Sequence, residues 1–147
     1  MNENNITIFE TKHWKIVLLQ DQLYLGRCVV ALKRPCQNLA DLNGDEFQDW
    51  HEVVKRLELL FRDTFGAAMF NWSCLMNKKP EARQIHWHFR PRYNKPVEVG
   101  GRTFEDPNFG QHALTGSNDE SLVPREVLVS IIERLQGNLQ NSGKSTR

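Results

Sequence analysis

The chain has 147 residues, about 39% hydrophobic and 25% charged, with a net charge of +1. That is one ordinary globular domain, with neither the uniform basic field of a DNA-coating protein nor the composition of a disordered one. No apolar run approaches the roughly 20 residues a membrane helix needs. The opening segment MNENNITIFE carries acids and no base, unlike a secretory signal, so a cytoplasmic location is expected. Cys28, Cys36 and Cys74 have no CxxC or zinc spacing. Cys28 and Cys74 lie in apolar segments and read as small core residues, and the odd count fits a reducing compartment.

In chain order, Ile6 to Thr11, His13 to Gln20 and Arg27 to Lys33 are β-type runs. Residues 35–43 connect to a long helix capped by Asn43, with Glu46 as its capping-box partner. Phe47, Trp50, Val54, Leu57, Phe61 and Phe65 share one face of it, His51 falls outside that stripe, and Gly66 stops it. Ala68 to Asn77 and Gln84 to Tyr93 alternate apolar and polar residues, and could pair as an antiparallel hairpin across a short polar loop. Residues 94–123 give only weak strand signals, in a length unusual for a plain connection. A final helix starts near Pro124, buries Val127, Leu128, Ile131, Ile132 and Leu135, and ends at Gly137. The expectation is an α+β fold, a five-stranded antiparallel sheet with two helices, forming a single domain over residues 1–137. Residues 138–147 are read as a disordered polar tail.

The chemistry concentrates in Gln84-Ile85-His86-Trp87-His88-Phe89-Arg90. Strand alternation sends Ile85, Trp87 and Phe89 to the core, and Gln84, His86, His88 and Arg90 to the opposite face. Two imidazoles thus stand side by side on a rigid element, flanked by an amide and a guanidinium. A neutral imidazole is a nucleophile, and near neutral pH it is an acid–base group. Lys78, Lys79, Arg83, Arg90, Arg92 and Lys95 surround the segment, against the single acid Glu81. Cations of this kind stabilise charge on phosphoryl oxygens, or simply form a solvated rim. Two blander or rival readings stand beside nucleophilic catalysis. The histidines are solvent-facing polar residues, or they are two ligands of a metal site that needs a third. No carboxylate follows His88 closely, and His13, His51 and His112 have no ligand spacing.

QIHWHFRPRY resembles the signature of the histidine-triad superfamily, in which histidines alternate with apolar residues and Pro-Arg often follows. Pro91-Arg92 puts Gln84 at the first triad position, His86 at the middle one and His88 at the third. FNWSCLMN resembles the preceding family strand, ending in Asn77. LGRCVVALKRPCQNLADLNGDEF resembles the earlier strand, loop and helix start, so the likeness runs from Trp14 to Arg92. It implies an antiparallel α+β homodimer that acts on adenine nucleotides or dinucleoside polyphosphates. His86 would attack the α-phosphate, and water or another acceptor would then take the nucleotide. His88 would contact the phosphate and assist the leaving group, with Asn77 nearby. No metal is required by this scheme, although a divalent cation could accompany the substrate.

The departures from the family pattern also carry implications. Gln84 replaces the first histidine, whose backbone carbonyl orients the nucleophile in the family; a carbonyl survives any side-chain change. The Gln84 amide could also donate to a phosphate oxygen. Arg27 stands where many members have a histidine, and could pair with Gln84 or with phosphate. No clear ribose-binding acid is visible; Asp21 is only nearby. Retention of His88 favours hydrolysis over the uridylyltransferase branch, where glutamine occupies the third position. The leading expectation is a nucleotidyl hydrolase or transferase with His86, His88 and Gln84 in the catalytic set and Asn77, Arg27 and Arg90 on the substrate. The alternatives are a non-catalytic nucleotide-binding module and a metal-dependent enzyme using His86 and His88. A nucleic-acid partner is not expected, because no extended basic face or appended DNA-binding motif is present.

Overall fold

A computed structural model describes residues 4–114 and 120–142. Five strands form one sheet: β1 (Ile6–Glu10), β2 (Trp14–Leu18), β3 (Cys28–Leu32), β4 (Met69–Ser73) and β5 (His86–Arg92). Their spatial order is β1-β2-β3-β5-β4, and every neighbouring pair is antiparallel. β5 enters last and lies between β3 and β4: His86–Phe89 pair with β3 and His88–Arg92 with β4, so His88 and Phe89 have strand partners on both sides. With helix α1 (Gly44–Phe65) and helix α2 (Arg125–Ser142), the architecture is the expected α+β.

One face of the sheet is apolar because the alternation keeps register from strand to strand. Trp14, Leu32, Ile16, Val30, Leu18, Cys28, Trp87 and Phe89 meet as cross-strand partners on that face, all but Trp87 fully buried. Helix α1 covers it. Trp14 Nε1 donates to Glu46 O at 2.9 Å, and Trp72 Nε1 donates to Glu58 Oε2 at 2.9 Å. Gly26, at φ 89°, lets the β2–β3 turn press against Phe61; a Cβ there would stand 2.2 Å from that ring.

The capping box on α1 is complete: Asn43 accepts from Glu46 N at 2.9 Å, and Glu46 accepts from Asn43 N at 3.0 Å. Gly66 ends the helix in the left-handed region. The buried stripe is rotated from expectation. Val53 and Leu60 point inward with Leu57, Phe61 and Phe65, whereas Phe47 is 43% exposed. The reason is a second neighbour, since α1 packs on α2 as well as on the sheet.

Three further boundaries differ from the sequence expectation. β4 stops at Ser73 rather than Asn77, and Met76 then takes φ 49° as the chain leaves the sheet. Within residues 94–123, Val97–Val99 (β6) and Arg102–Phe104 (β7) form an antiparallel hairpin. Gly100 and Gly101, both at positive φ, supply the tight turn that hairpin twist demands. Helix α2 continues past Gly137 to Ser142. Asn138 donates to Thr64 Oγ1 at 2.8 Å and Leu139 packs on the core, which offsets the roughly 1 kcal/mol cost of a mid-helix glycine. The expected disordered tail is therefore helical over residues 138–142; residues 143–147 lie outside the described residues. Among the described residues no helix is long and apolar enough to cross a membrane.

Candidate active site

The opposite face of the sheet carries the polar residues of β5. Trp87 stacks on Trp50 of α1, with ring centroids 4.5 Å apart, on the core side. That contact fixes the strand's rotation and sends His86 and His88 outward. Their rings meet edge to face, 5.1 Å between centroids, and both side chains are half-buried.

His86 Nδ1 lies 2.7 Å from the backbone carbonyl of Gln84. A carbonyl only accepts, so this contact puts the proton on Nδ1 and leaves Nε2 with its lone pair free. The carbonyl is itself held in place by the Gln84 side chain. Its amide donates to Leu32 O at 2.8 Å and to Arg34 O at 2.7 Å, and its oxygen accepts from Cys36 N at 2.9 Å. Both amide protons are engaged by the chain that leaves β3, so the side chain has no donor for a phosphate. Arg34 ties the same segment to the start of α1 through a bidentate pair with Glu46, at 2.6 and 2.8 Å. That pair pushes the Glu46 carboxyl down to about 2.

His88 is paired with Val29 on one side and Ser73 on the other. Its Nδ1 is buried with no hydrogen-bond partner among the described residues. Burial lowers its pKa to about 4, and the nearby charges of Arg90, His86, Arg27 and Lys78 act in the same direction. The imidazole is therefore neutral at physiological pH in the unliganded protein.

The remaining expected residues separate. Arg27 pairs with Asp21 at 2.9 Å rather than with Gln84, and both side chains are largely buried. Asn77 is exposed in the link after β4. Arg90 is buried on the same face as the histidines. The basic surround breaks up. Arg92 is a structural strut, with Nε 2.6 Å from Asp106 Oδ2, and the Arg83 guanidinium donates to Lys78 O. Sequence reasoning missed the partners of both arginines. Asp106 and Asp21 belong to loops, and nothing in their spacing announces the pairing. Among the described residues no cluster of three His, Cys, Asp or Glu side chains could hold a metal ion.

No protein-family model and no curated protein matches the chain by sequence. Among solved structures, a histidine-triad protein from Sinorhizobium meliloti superposes with a TM-score of 0.70. The match covers 92% of this chain and 90% of that one, at 17% identity. The fold is that of the histidine-triad proteins. A hypothetical histidine triad nucleotide-binding protein from Sulfolobus tokodaii gives a TM-score of 0.65 at 16% identity, covering 93% of this chain and 85% of that one. A zinc-bound histidine triad family protein from Mycobacterium smegmatis gives 0.53 at 19% identity, covering 91% and 88%. Each of these likenesses covers more than nine-tenths of the chain. At such identities they speak for the fold alone, and the chemistry rests on the side chains described above.

Proposed function

We propose that the protein is a nucleotidyl hydrolase or transferase that works through a covalent nucleotidyl-His86 intermediate. The observation that carries this reading is the 2.7 Å contact between His86 Nδ1 and Gln84 O. It supports a free Nε2 lone pair aimed away from the sheet. In the first step that lone pair attacks phosphorus, the bond from phosphorus to the leaving oxygen breaks, and the departing oxygen takes a proton from His88, which has taken one up from solvent beside the bound phosphate. The Nδ1 proton bonded to the carbonyl stabilises the positive ring that forms. In the second step the oxygen of water or another acceptor attacks phosphorus, gives its proton to His88, and displaces Nε2. His88, neutral before substrate binds, and Arg27 supply donors and positive charge near the phosphoryl oxygens. An adenine nucleotide ester or dinucleoside polyphosphate is the substrate class, with hydrolysis preferred and no metal needed for the chemistry. Asn77, on the exposed link after β4, approaches the phosphate once substrate is bound.

The proposal extends to a cytoplasmic homodimer. The three cysteines are free thiols. β4 is an outer strand with Met69 exposed, and Leu75 just beyond it is exposed as well; an open edge of this kind calls for a cover. The test is chromatographic turnover of dinucleoside polyphosphates and AMP esters in the presence of chelator, comparing wild type with His86→Asn. Release of AMP by wild type, reduced by about three orders of magnitude or more in the variant, is expected for loss of a nucleophile. Nucleotide binding by both proteins with turnover by neither would leave a binding module and overturn the enzyme reading. Turnover that chelator abolishes would favour the metal-dependent reading.

A further inference from the structure

Arg90 and Arg92 stand two residues apart on β5 and point to the same face, yet their surroundings are opposite. Arg92 makes six hydrogen bonds, to Asp106, Asn71, Gln111 and Asn108. Arg90 is only 8% exposed and makes none among the described residues, and its Nε is fully buried without a partner. A guanidinium whose Nε is buried without an acceptor is costly unless something else supplies one. Asp21, the carboxylate whose charge acts on Arg90, is already engaged, since it accepts from Arg27 at 2.9 Å and from Leu23 N at 3.0 Å. Arg27 and Arg90 oppose each other's charge, and Arg90 also bears on His88. Asp21 acts on Arg90 only through its charge, so Arg90 is the arginine of this face that has no acceptor of its own among the described residues.

Beside Arg90 opens a cleft of about 740 Å³, lined by Asn71, Ser73, Gln111 and His112 and also by Met69 and Leu75 of the edge proposed above for a second copy, which would then form a further wall of it. That volume suits a small organic moiety rather than a lone ion. The cleft adjoins the reaction centre, because Ser73 is the strand partner of His88 and Asn71 that of Arg90. Asn71 accepts from Arg92 through its Oδ1, which leaves its NH₂ group as a donor for a second oxyanion contact. Residues two apart on a strand are separated by roughly 6.8 Å. A group held at Arg90 thus lies one side-chain step beyond one touching His88.

We propose that this cleft is an oxyanion subsite for the leaving portion of the substrate, with Arg90 as its ion partner. Preferred substrates then carry a second anionic group, phosphoryl or carboxylate, beyond the phosphorus attacked by His86. This inference rests on the nucleotide-phosphate reading for its place in the reaction, but its binding chemistry is testable alone. Inorganic pyrophosphate and malonate are titrated into wild type, Arg90→Leu, Arg90→Met, Arg90→Lys and His86→Asn. Tryptophan fluorescence and calorimetry follow binding, and melting temperature is read with and without anion.

Wild type and His86→Asn are expected to bind pyrophosphate and to melt higher with it. Affinity falls at least tenfold in the leucine and methionine variants and returns in part with lysine. Without anion, the leucine variant melts at or above wild type, because an unpaired buried charge has gone; a merely structural arginine would give the reverse. Equal binding of malonate and pyrophosphate means that the subsite takes either anion, malonate binding alone assigns it to a carboxylate, and pyrophosphate binding alone assigns it to a phosphoryl group. Wild-type affinity in the variants, or no binding of either anion by wild type, overturns the subsite. Arg90-dependent anion binding without any nucleotide turnover would sink the enzyme reading alone. His86-dependent turnover with Arg90-independent binding would sink this subsite alone.

Discussion

The imidazole of His88 sits on a polar face yet is kept neutral by burial and by the cations Arg90, Arg27 and Lys78 around it, with His86 adding to the effect. Its pKa of about 4 in the folded state lies below the roughly 6.5 of an unfolded chain. As pH falls through that interval, the unfolded chain takes up a proton that the folded chain refuses. Stability contributed by His88 is therefore complete above pH ~6.5 and lost progressively toward pH 4. Urea melts between pH 7 and 4 should show this decline, and His88→Asn should flatten it. The Glu46 carboxyl, held at about 2 by Arg34, acts lower, between its ordinary value and pH 2, so the two effects separate along the pH axis. A bound phosphate would oppose the same cations and raise His88. The group that is neutral in the free protein is then able to hold a proton once substrate is present.

Among the elements, α1 is the one whose ends are written most clearly in local chemistry. Asn43 satisfies a free N–H of the first turn, and Glu46 returns the bond to Asn43 N while also gripping Arg34. Asn43→Ala removes one of the two reciprocal bonds and should cost about 1 kcal/mol. For a chain of this size that lowers the melting temperature by roughly 2–4 °C, which calorimetry would read. The effect reaches the candidate site, because Arg34 anchors the segment that Gln84 clamps. β5 shows the same coupling from the other direction. Pairing with β3 at both histidines and with β4 at His88, together with the stacking of Trp87 on Trp50, places the two imidazoles without any loop. By contrast, the hairpin β6–β7 is set by two glycines at positive φ and contributes no residue to the histidine pair.

For the molecule as a whole, the buried pair Arg92–Asp106 joins the sheet to the loop that follows β7. Both side chains are 1% exposed, and Asp106 also accepts from Asn108 N and Tyr93 N. Tyr24 reaches the same loop through Asn108, at 2.7 Å. Asp106→Ala would strand a buried guanidinium and should cost roughly 3–5 kcal/mol, well above the typical effect of a point substitution. Hydrogen exchange should then quicken across residues 106–111, ahead of the strands. An Arg92→Leu/Asp106→Leu double variant is expected to recover much of that loss, since replacing both charges removes the desolvation penalty. The contrast with Arg90 is instructive. One arginine closes a wall of the cleft by being fully satisfied, and its neighbour on the strand faces the cleft with nothing to satisfy it.

Much of this was legible in the chain before any fold was known. Strand alternation separated Ile85, Trp87 and Phe89 from His86, His88 and Arg90, because a pleated backbone alternates whatever surrounds it. The start and stop of α1 were legible because capping is chemistry between residues a few positions apart. Even the Gly100-Gly101 turn carried its signal in two adjacent glycines, although the short strands around it did not stand out. The roles of the polar residues were not legible, because their partners are distant in sequence. Gln84 is a clamp on residues 32–36, Arg27 belongs to Asp21 and Arg92 to Asp106. The sequence by itself determined the fold class, the two faces of the sheet and the pair of histidines, all of them consequences of local periodicity. Only the tertiary structure decided which cations are satisfied and which is left facing a cleft, since the pairing of a buried charge depends on what the folded chain brings within a few ångströms of it.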